Sequence, residues 1–295
     1  MKIEEYIINN TITKDNCINS YKYFELINFL ISNNSKYIKL ELTEDILYEN
    51  SLCTTLKQLS NKIILFSNID IDFPPPKKPY EYDKFFHKYN MPENYESISY
   101  YDKIDKHVID IIEKNNLFIV TYSVSINHPN IIFVPLGIYS QFNHFHLKTK
   151  NKDILCYLNM GVPCDRWFGN PRKNIIDSLK DKSFVTKRNG LSIDEFYNDI
   201  SRSKFMICPR GCGIDTYRLW DCIILGCIPI VERYESHIQW DDLPILFLND
   251  ISEYDGFTEE FLNEKYDDFL QMNFNYDKCS IEYWRNKINN IKKKI

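Results

Sequence analysis

The chain has 295 residues, of which 44% are apolar and 26% charged, a balance that excludes a disordered or fibrous protein. Its formal net charge of −5 argues against a nucleic-acid partner, because proteins that bind a phosphate backbone usually carry a basic excess. The nine cysteines are scattered without a Cys-x-x-Cys pair, and neither a signal peptide nor a membrane span is predicted, so we expect a cytoplasmic protein.

The first half of the sequence alternates short apolar runs with amphipathic stretches, a pattern typical of an α/β fold with parallel strands. Buried strands are predicted at residues 62–66, 117–120 and 131–134, and a helix is predicted over 104–114. The proline-rich run at 74–79 predicts an irregular surface loop, because proline has no backbone N–H to donate.

A second series of the same kind begins at Asp153. It predicts, in order, a strand at 154–158, helices at 171–179 and 192–200, a strand at 205–208, a helix from Asp215 to Leu225, strands near Ile228 and at 245–248, and helices at 258–270 and 281–291. The predicted fold class is therefore α/β with two Rossmann-like lobes, residues 1–145 and 146–277. The C-terminal segment 278–295 is expected to be able to pack back on the first lobe.

Residues 208–226 carry the strongest signal for a binding site. A predicted strand leads into a tight loop that contains Gly211 and Gly213, and Asp215 is the predicted N-cap of a helix that stops at Gly226. This order places a helix amino end, with its unpaired N–H groups and partial positive charge, at the carboxyl edge of a parallel sheet. Anions and nucleotides bind in such places.

Charged residues in this stretch favour a diphosphate ligand. Arg210 in the loop and Arg218 in the first helical turn are each able to donate several hydrogen bonds to phosphate. Asp221 shares a helix face with Arg218 and is a candidate for binding ribose hydroxyls, although such a pair is also common on solvated helix faces. Asp215 is expected first to cap the helix and second to contact a donor sugar. Other candidate donor contacts are the backbone of Gly211, Gly213, Ile214 and Thr216 and the side chains of Arg166 and Arg172, of which the last two are as readily ordinary surface residues.

The run from Cys208 to Val231 reads Cys-Pro-Arg-Gly-x-Gly-Ile-Asp-Thr-x-Arg-Leu-Trp, then Leu-Gly-Cys-Ile-Pro-Ile-Val after four residues, and it closely resembles the donor-binding motif of exostosin-like glycosyltransferases. The resemblance is weaker over the rest of the second lobe and faint in the first half. It implies a GT-B fold, with the donor held by the second lobe and the acceptor on the side of the first. On the matching positions, Arg218 would hold the diphosphate and Asp221 the ribose, where the family usually has Glu.

The resemblance further implies inverting, metal-independent transfer from a UDP-sugar, with no tightly bound cofactor. We therefore expect transfer of xylose, a hexose or an N-acetylhexosamine to a carbohydrate acceptor. In such a reaction, arginines and a helix amino end in fixed positions would meet the charge that develops on the departing diphosphate.

The general base is expected in the first lobe. Asp70, in a polar turn after the strand at 62–66, is the first candidate, and His128, in the loop before the strand at 131–134, is the second; both are also common as ordinary turn or surface residues. Two alternatives remain open. Asp70 and Asp72 form an Asp-x-Asp pattern that would bind Mn²⁺ in a GT-A transferase, and a chain without the base would be a non-catalytic nucleotide- or glycan-binding module.

Overall fold

The computed structural model describes residues 1–9, 11–33, 35–41, 49–67, 106–122, 124, 126–139, 141–161, 171–211, 213–291 and 293. The elements of the first half are α1 (Ile3–Asn9), α2 (Ser20–Asn33), β1 (Tyr37–Glu41), α3 (Glu49–Lys57), β2 (Ile63–Ser67), α4 (Lys106–Lys114), β3 (Phe118–Thr121) and β4 (Ile131–Phe133). Those of the second half are β5 (Ile154–Leu158), α5 (Pro171–Leu179), β6 (Val185–Lys187), α6 (Ile193–Arg202), β7 (Ser203–Ile207), α7 (Tyr217–Ile224), β8 (Ile228–Glu232), β9 (Leu246–Leu248), α8 (Glu259–Gln271) and α9 (Ile281–Ile291).

The strands form two parallel sheets. The N-terminal sheet has the order β1-β2-β3-β4, and the C-terminal sheet has the order β6-β5-β7-β8-β9. Helices cover both faces of such sheets, so their strands carry continuous apolar runs, and Ile63, Ile64, Leu65 and Phe66 of β2 are accordingly all fully buried. The mixed α/β fold with two parallel sheets is consistent with a two-lobed Rossmann-like architecture.

The strand order of the C-terminal sheet reverses at β5. The chain first adds β6 on one side of β5 and then crosses to add β7 on the other side. In open parallel sheets, such a reversal separates the two connecting loops at the carboxyl ends of adjacent strands and leaves a crevice between them, where ligands bind. In this sheet the crevice lies between the loops that follow β5 and β7.

Each end of the chain packs on the other half of the fold. Tyr6 of α1 donates from its hydroxyl to the carbonyl of Ile224 in α7 (3.5 Å), and its ring stacks on Tyr276 with centroids 3.7 Å apart. At the other end, Trp284 and Ile288 of α9 are fully buried against α2 and the N-terminal sheet. Each half of the fold therefore depends on a helix from the opposite terminus.

A glutamine joins the sheets at the edge strand β4. The Gln239 side chain accepts a hydrogen bond from the Phe133 N–H and donates one to the Ile131 carbonyl, both at 3.3 Å. It thus takes the place of a neighbouring strand on that edge. The Phe133 ring also packs on Trp240 of the second half, with centroids 4.2 Å apart.

None of the described helices is long and apolar enough to cross a membrane. The proline-rich run at 74–79 lies outside the described residues.

Candidate functional site

The loops after β5 and β7 are tied together by a buried arginine. Arg172, at the start of α5, donates from Nε and Nη2 to the Arg210 carbonyl (3.2 and 3.0 Å) and from Nη1 to the Gly161 carbonyl (3.0 Å). The side chain is only 7% exposed, so it is neither an ordinary surface arginine nor an open phosphate ligand in this structure. It fixes the shape of the crevice at the strand reversal. Arg166, also predicted near this crevice, lies outside the described residues.

The glycine loop spans residues 208–216, of which the structure describes all but residue 212. The Gly211 N–H donates to the Gly213 carbonyl (2.9 Å), and the Ile214 side chain is buried. The strand before the loop is held in the sheet by a bond from the Cys208 N–H to the Ile230 carbonyl (2.9 Å). The predicted sequence of strand, tight loop and helix is therefore present, and it lies at the carboxyl end of a central strand.

The prediction that Asp215 caps the following helix is wrong. The helix α7 begins at Tyr217, and the residue at its N-cap is Thr216, whose extended backbone (φ −139°, ψ 145°) precedes the first helical turn. The Asp215 side chain instead turns inward to bind the Trp220 indole. Because the Thr216 side chain makes no capping hydrogen bond, the amino end of α7 lacks a side-chain cap from its own N-cap residue.

Asp215 connects α7 to the first half of the chain. One carboxylate oxygen accepts from the Trp220 indole N–H and the other from the backbone N–H of Leu136, both at 2.7 Å. The residue is 3% exposed, and burial raises its pKa to about 7, although the hydrogen bonds from Leu136, Trp220 and the Thr216 backbone oppose this rise. Leu136 follows β4, so this bond joins the two sheets.

Asp221, the predicted ribose ligand, is also buried, so its carboxylate is not open to a ribose in this structure. Its carboxylate accepts from the Tyr197 hydroxyl (3.2 Å), and the residue is 3% exposed, as is Asp215. Burial raises its pKa to about 7 against the smaller lowering influences of Tyr197, the Tyr139 backbone amide and Arg218. Among the described residues, the Oδ1 atom of Asp221 has no hydrogen-bond partner.

The two arginines predicted to share one diphosphate have different neighbours. Arg218, in the first turn of α7, is partly exposed, and its guanidinium carbon lies 5.9 Å from the Phe196 ring centroid of α6. Its Nε atom is buried and has no hydrogen-bond partner within the described part of the chain. Arg210 is 4% exposed and points toward the end of β8, where its Nη1 lies 3.5 Å from the Tyr234 hydroxyl. Arg218 is therefore the more accessible of the two.

The environment of Arg210 continues into an open cleft between the two halves of the molecule. The Tyr234 hydroxyl that contacts Arg210 donates to Glu232 (3.0 Å), and Arg210 lowers the pKa of Glu232 while burial raises it more strongly. The cleft has a volume of about 500 Å³. It is lined by Asn127, Arg233, Tyr234, Glu235, Ile238 and Asn249.

The structure does not bring His128 to the glycine loop. Its Nε2 lies 3.2 Å from Glu113 of α4, and its Nδ1 accepts from the Asn130 N–H (3.2 Å), which holds the ring at the amino end of β4. Leu136, which reaches Asp215, follows the carboxyl end of the same strand. The other predicted base, Asp70, and its neighbour Asp72 lie outside the described residues.

Sequence reasoning missed three contacts that shape this site: the Arg172 bridge, the Leu136 bond to Asp215 and the Tyr197 bond to Asp221. The first joins Arg172 to carbonyls 11 and 38 positions away, and no local pattern indicates it. The other two join residues 79 and 24 positions apart, and no local pattern indicates them.

A comparison with known proteins identifies one relative for part of the chain. The protein named "Probable glucuronoxylan glucuronosyltransferase IRX7" of Arabidopsis thaliana is 25% identical over 160 residues, which cover 46% of this chain and 35% of that protein. The match thus spans about a third of the length of that relative. No family model matches the chain. At this identity and coverage, the similarity supports a glycosyltransferase and leaves its donor and acceptor open.

Proposed function

We propose that the chain is a glycosyltransferase of the GT-B type that binds the diphosphate of a UDP-sugar at the carboxyl ends of β5 and β7. It transfers xylose, a hexose or an N-acetylhexosamine to a carbohydrate acceptor, with inversion and without a bound metal. The observation that carries this proposal is the amino end of α7 at the strand reversal, where the N-cap residue Thr216 makes no side-chain capping bond and Arg218 lies in the first turn. The similarity to a plant glycosyltransferase supports the same class of reaction.

The charge of the leaving group explains why these residues suit the reaction. As the glycosidic bond to the nucleotide breaks, negative charge grows on the diphosphate, and donors in fixed positions stabilise it without reorganising. The first N–H groups of α7 carry the partial positive charge of a helix amino end, and this helix follows the loop at the carboxyl end of β7. Arg218 adds a guanidinium whose buried Nε has no other partner among the described residues.

The roles of the neighbouring residues follow from their burial. Arg172 shapes the loop through carbonyl contacts and is assigned no phosphate contact. Asp221 is enclosed by Tyr197 and the Tyr139 backbone, so a ribose would reach its carboxylate only after this cover moves; we assign it no donor contact. The proposed general base remains Asp70, and the sugar-transfer activity of a variant at this position tests it.

Binding of UDP measured by thermal unfolding tests the proposal. UDP at about a hundredfold excess over its Kd stabilises a native protein by about 2.7 kcal/mol, which corresponds to an increase in Tm of roughly 4 °C for a chain of this size. We expect this increase both with EDTA and with added Mn²⁺. Arg218→Ala should abolish it, whereas Arg285→Ala, on an exposed ion pair of α9, should leave it unchanged.

Each other outcome of this experiment has a defined meaning. An increase in Tm that survives Arg218→Ala would refute the phosphate site at α7. Dependence on Mn²⁺ would favour the GT-A alternative. Retained UDP binding without transfer to any glycan acceptor would favour a non-catalytic module. Asp70→Asn should keep UDP binding and stop transfer, and an active variant would exclude Asp70 as the base.

A further inference from the structure

The segment that leaves the N-terminal sheet after β4 contacts the amino end of α7. The Leu136 N–H donates to Asp215, the Tyr139 backbone amide interacts with Asp221, and the Tyr139 and Tyr217 rings meet edge to face with centroids 5.6 Å apart. We name residues 134–139 the junction segment. Two of these contacts involve the helix whose amino end is the proposed phosphate site, and the third involves Asp215 in the loop before it.

The junction segment is itself fixed to the first half of the chain. Gly137 pairs with Asn19, and the Ile138 N–H donates to the Ile18 carbonyl (3.1 Å). Gly137 has a φ of +70°, and a Cβ at this position would lie 2.1 Å from the Ile18 carbonyl oxygen. Because this close approach allows only glycine, the position of the Leu136 N–H is set by the N-terminal half.

Two of the donors to the Asp215 carboxylate belong to separate parts of the molecule. One is the Leu136 N–H of the junction segment, and the other is the indole N–H of Trp220, a side chain of α7 that is 1% exposed. An apolar residue at position 215 would leave both donors without this acceptor. By holding both donors, the carboxylate connects α7 to the segment that follows β4.

We propose that Asp215 is a positioning residue, which holds the glycine loop against the junction segment and so keeps the amino end of α7 in the orientation that binds a nucleotide diphosphate. The inference rests on the proposed function, because it assigns the ligand to that site. It differs from the sequence-based expectations for Asp215, since neither a capping bond nor a sugar contact is involved. Asp215 acts through Leu136 and Trp220.

Asp215→Asn tests the inference with little change in shape. The amide oxygen is able to accept from only one of the two donors, and its NH₂ group then faces the other. We expect the Leu136 amide to exchange its hydrogen about tenfold faster and the Kd for UDP to rise about tenfold, as for the loss of one hydrogen bond to a charged acceptor. Hydrogen exchange followed by mass spectrometry and titration calorimetry with UDP measure the two effects.

Asp199→Asn is the matched control. Asp199 is another buried carboxylate of the second half, 1% exposed, and it binds Arg188 (2.8 Å) away from the junction segment. Its substitution should lower the Tm while it leaves Leu136 exchange and UDP affinity within twofold of the wild type. If both variants lower the Tm and neither changes these two quantities, Asp215 is only a structural residue and the inference is overturned.

A measurement on the wild-type chain covers the case in which Asp215→Asn does not fold. UDP binding should slow amide exchange in the junction segment at least threefold, although this segment belongs to the sheet opposite the proposed phosphate site. Unchanged exchange there, with UDP bound, would overturn the inference and leave the proposed function standing. If the wild-type chain binds no UDP, the proposed function is refuted and the positioning role with it.

Discussion

Replacement of Asp221 by asparagine should change how the stability of the protein depends on pH. The Asp221 carboxyl is 3% exposed, and its pKa rises from 3.8 to about 7 on folding because burial penalises the charged form. Between these two values the folded state binds more protons than the unfolded state, so stability falls as pH rises from 4 to 7 and levels off above 7. A rise of this size corresponds to about 4 kcal/mol between the acidic and the alkaline limit.

The asparagine side chain of this variant would carry no charge at any pH, and its amide oxygen would still accept from the Tyr197 hydroxyl. We therefore expect the Asp221→Asn variant and the wild type to have similar free energies of unfolding near pH 4.5. At pH 8 the variant should be more stable by about 3 kcal/mol, since about 1 kcal/mol of the full change falls below pH 4.5. Urea denaturation at half-unit steps of pH, with UDP absent, measures this difference directly.

Asp250→Asn provides a control of opposite sign. Hydrogen bonds from the Ser252 side chain and backbone lower the pKa of the exposed Asp250, so this group stabilises the folded state at neutral pH and loses that effect as pH falls. Its substitution should cost more at pH 8 than at pH 4.5. A difference between Asp221→Asn and the wild type that stays within 1 kcal/mol from pH 4.5 to 8 would refute the electrostatic reasoning for Asp221.

Two further substitutions test the contacts that shape the site and join the sheets. Arg172→Ala should lower the free energy of unfolding by about 3 kcal/mol, because the Gly161 and Arg210 carbonyls lose a buried donor; a loss below 1 kcal/mol in urea denaturation would contradict the Arg172 bridge. Gln239→Leu should cost about 2 kcal/mol in the same assay by leaving two backbone groups of β4 unpaired. A loss below about 0.5 kcal/mol would show that hydrogen bonding to β4 does not matter.

Strands in the sheet interiors were predictable because burial on both faces demands continuous apolar runs. The predictions at 62–66, 117–120 and 154–158 are confirmed by β2, β3 and β5. The sequence interpretation missed β1 and β6, which both lie at sheet edges and carry polar residues such as Lys39 and Lys187. Half-exposed edge strands lack the apolar run on which the prediction depends.

Helix ends were predictable where a side chain makes its own local bond. Ser192 caps α6 as expected, with its hydroxyl accepting from the Glu195 N–H (3.3 Å) and the Glu195 carboxylate accepting from the Ser192 N–H (2.9 Å). The same reasoning was wrong for Asp215. Its carboxylate accepts from the Trp220 indole, five residues ahead, and from the distant Leu136 N–H, and these two bonds hold it away from the helix end. A capping residue that finds tertiary donors is not distinguishable by spacing alone.

The position of the candidate site was predictable, but its surroundings were not. The Arg218 and Asp221 spacing correctly indicates a shared region of α7, and nothing in that spacing shows that Tyr197 and the Tyr139 backbone enclose the carboxylate. Those partners come from α6 and from the first half of the chain. Burial therefore removes Arg172 and Asp221 from the candidate donor contacts.

Helix α1 packs on the second half of the chain and α9 on the first, so each half is held by a helix from the opposite terminus. We therefore expect the two halves to unfold in one cooperative transition. A fragment that ends before α9 would lose Trp284 and Ile288, and the apolar side of α2 would then face water. A fragment that lacks α1 would similarly uncover Tyr276. Rotation of one sheet about the other would also pull on these two helices, so any opening of the molecule is restricted to small angles unless a terminal helix detaches first.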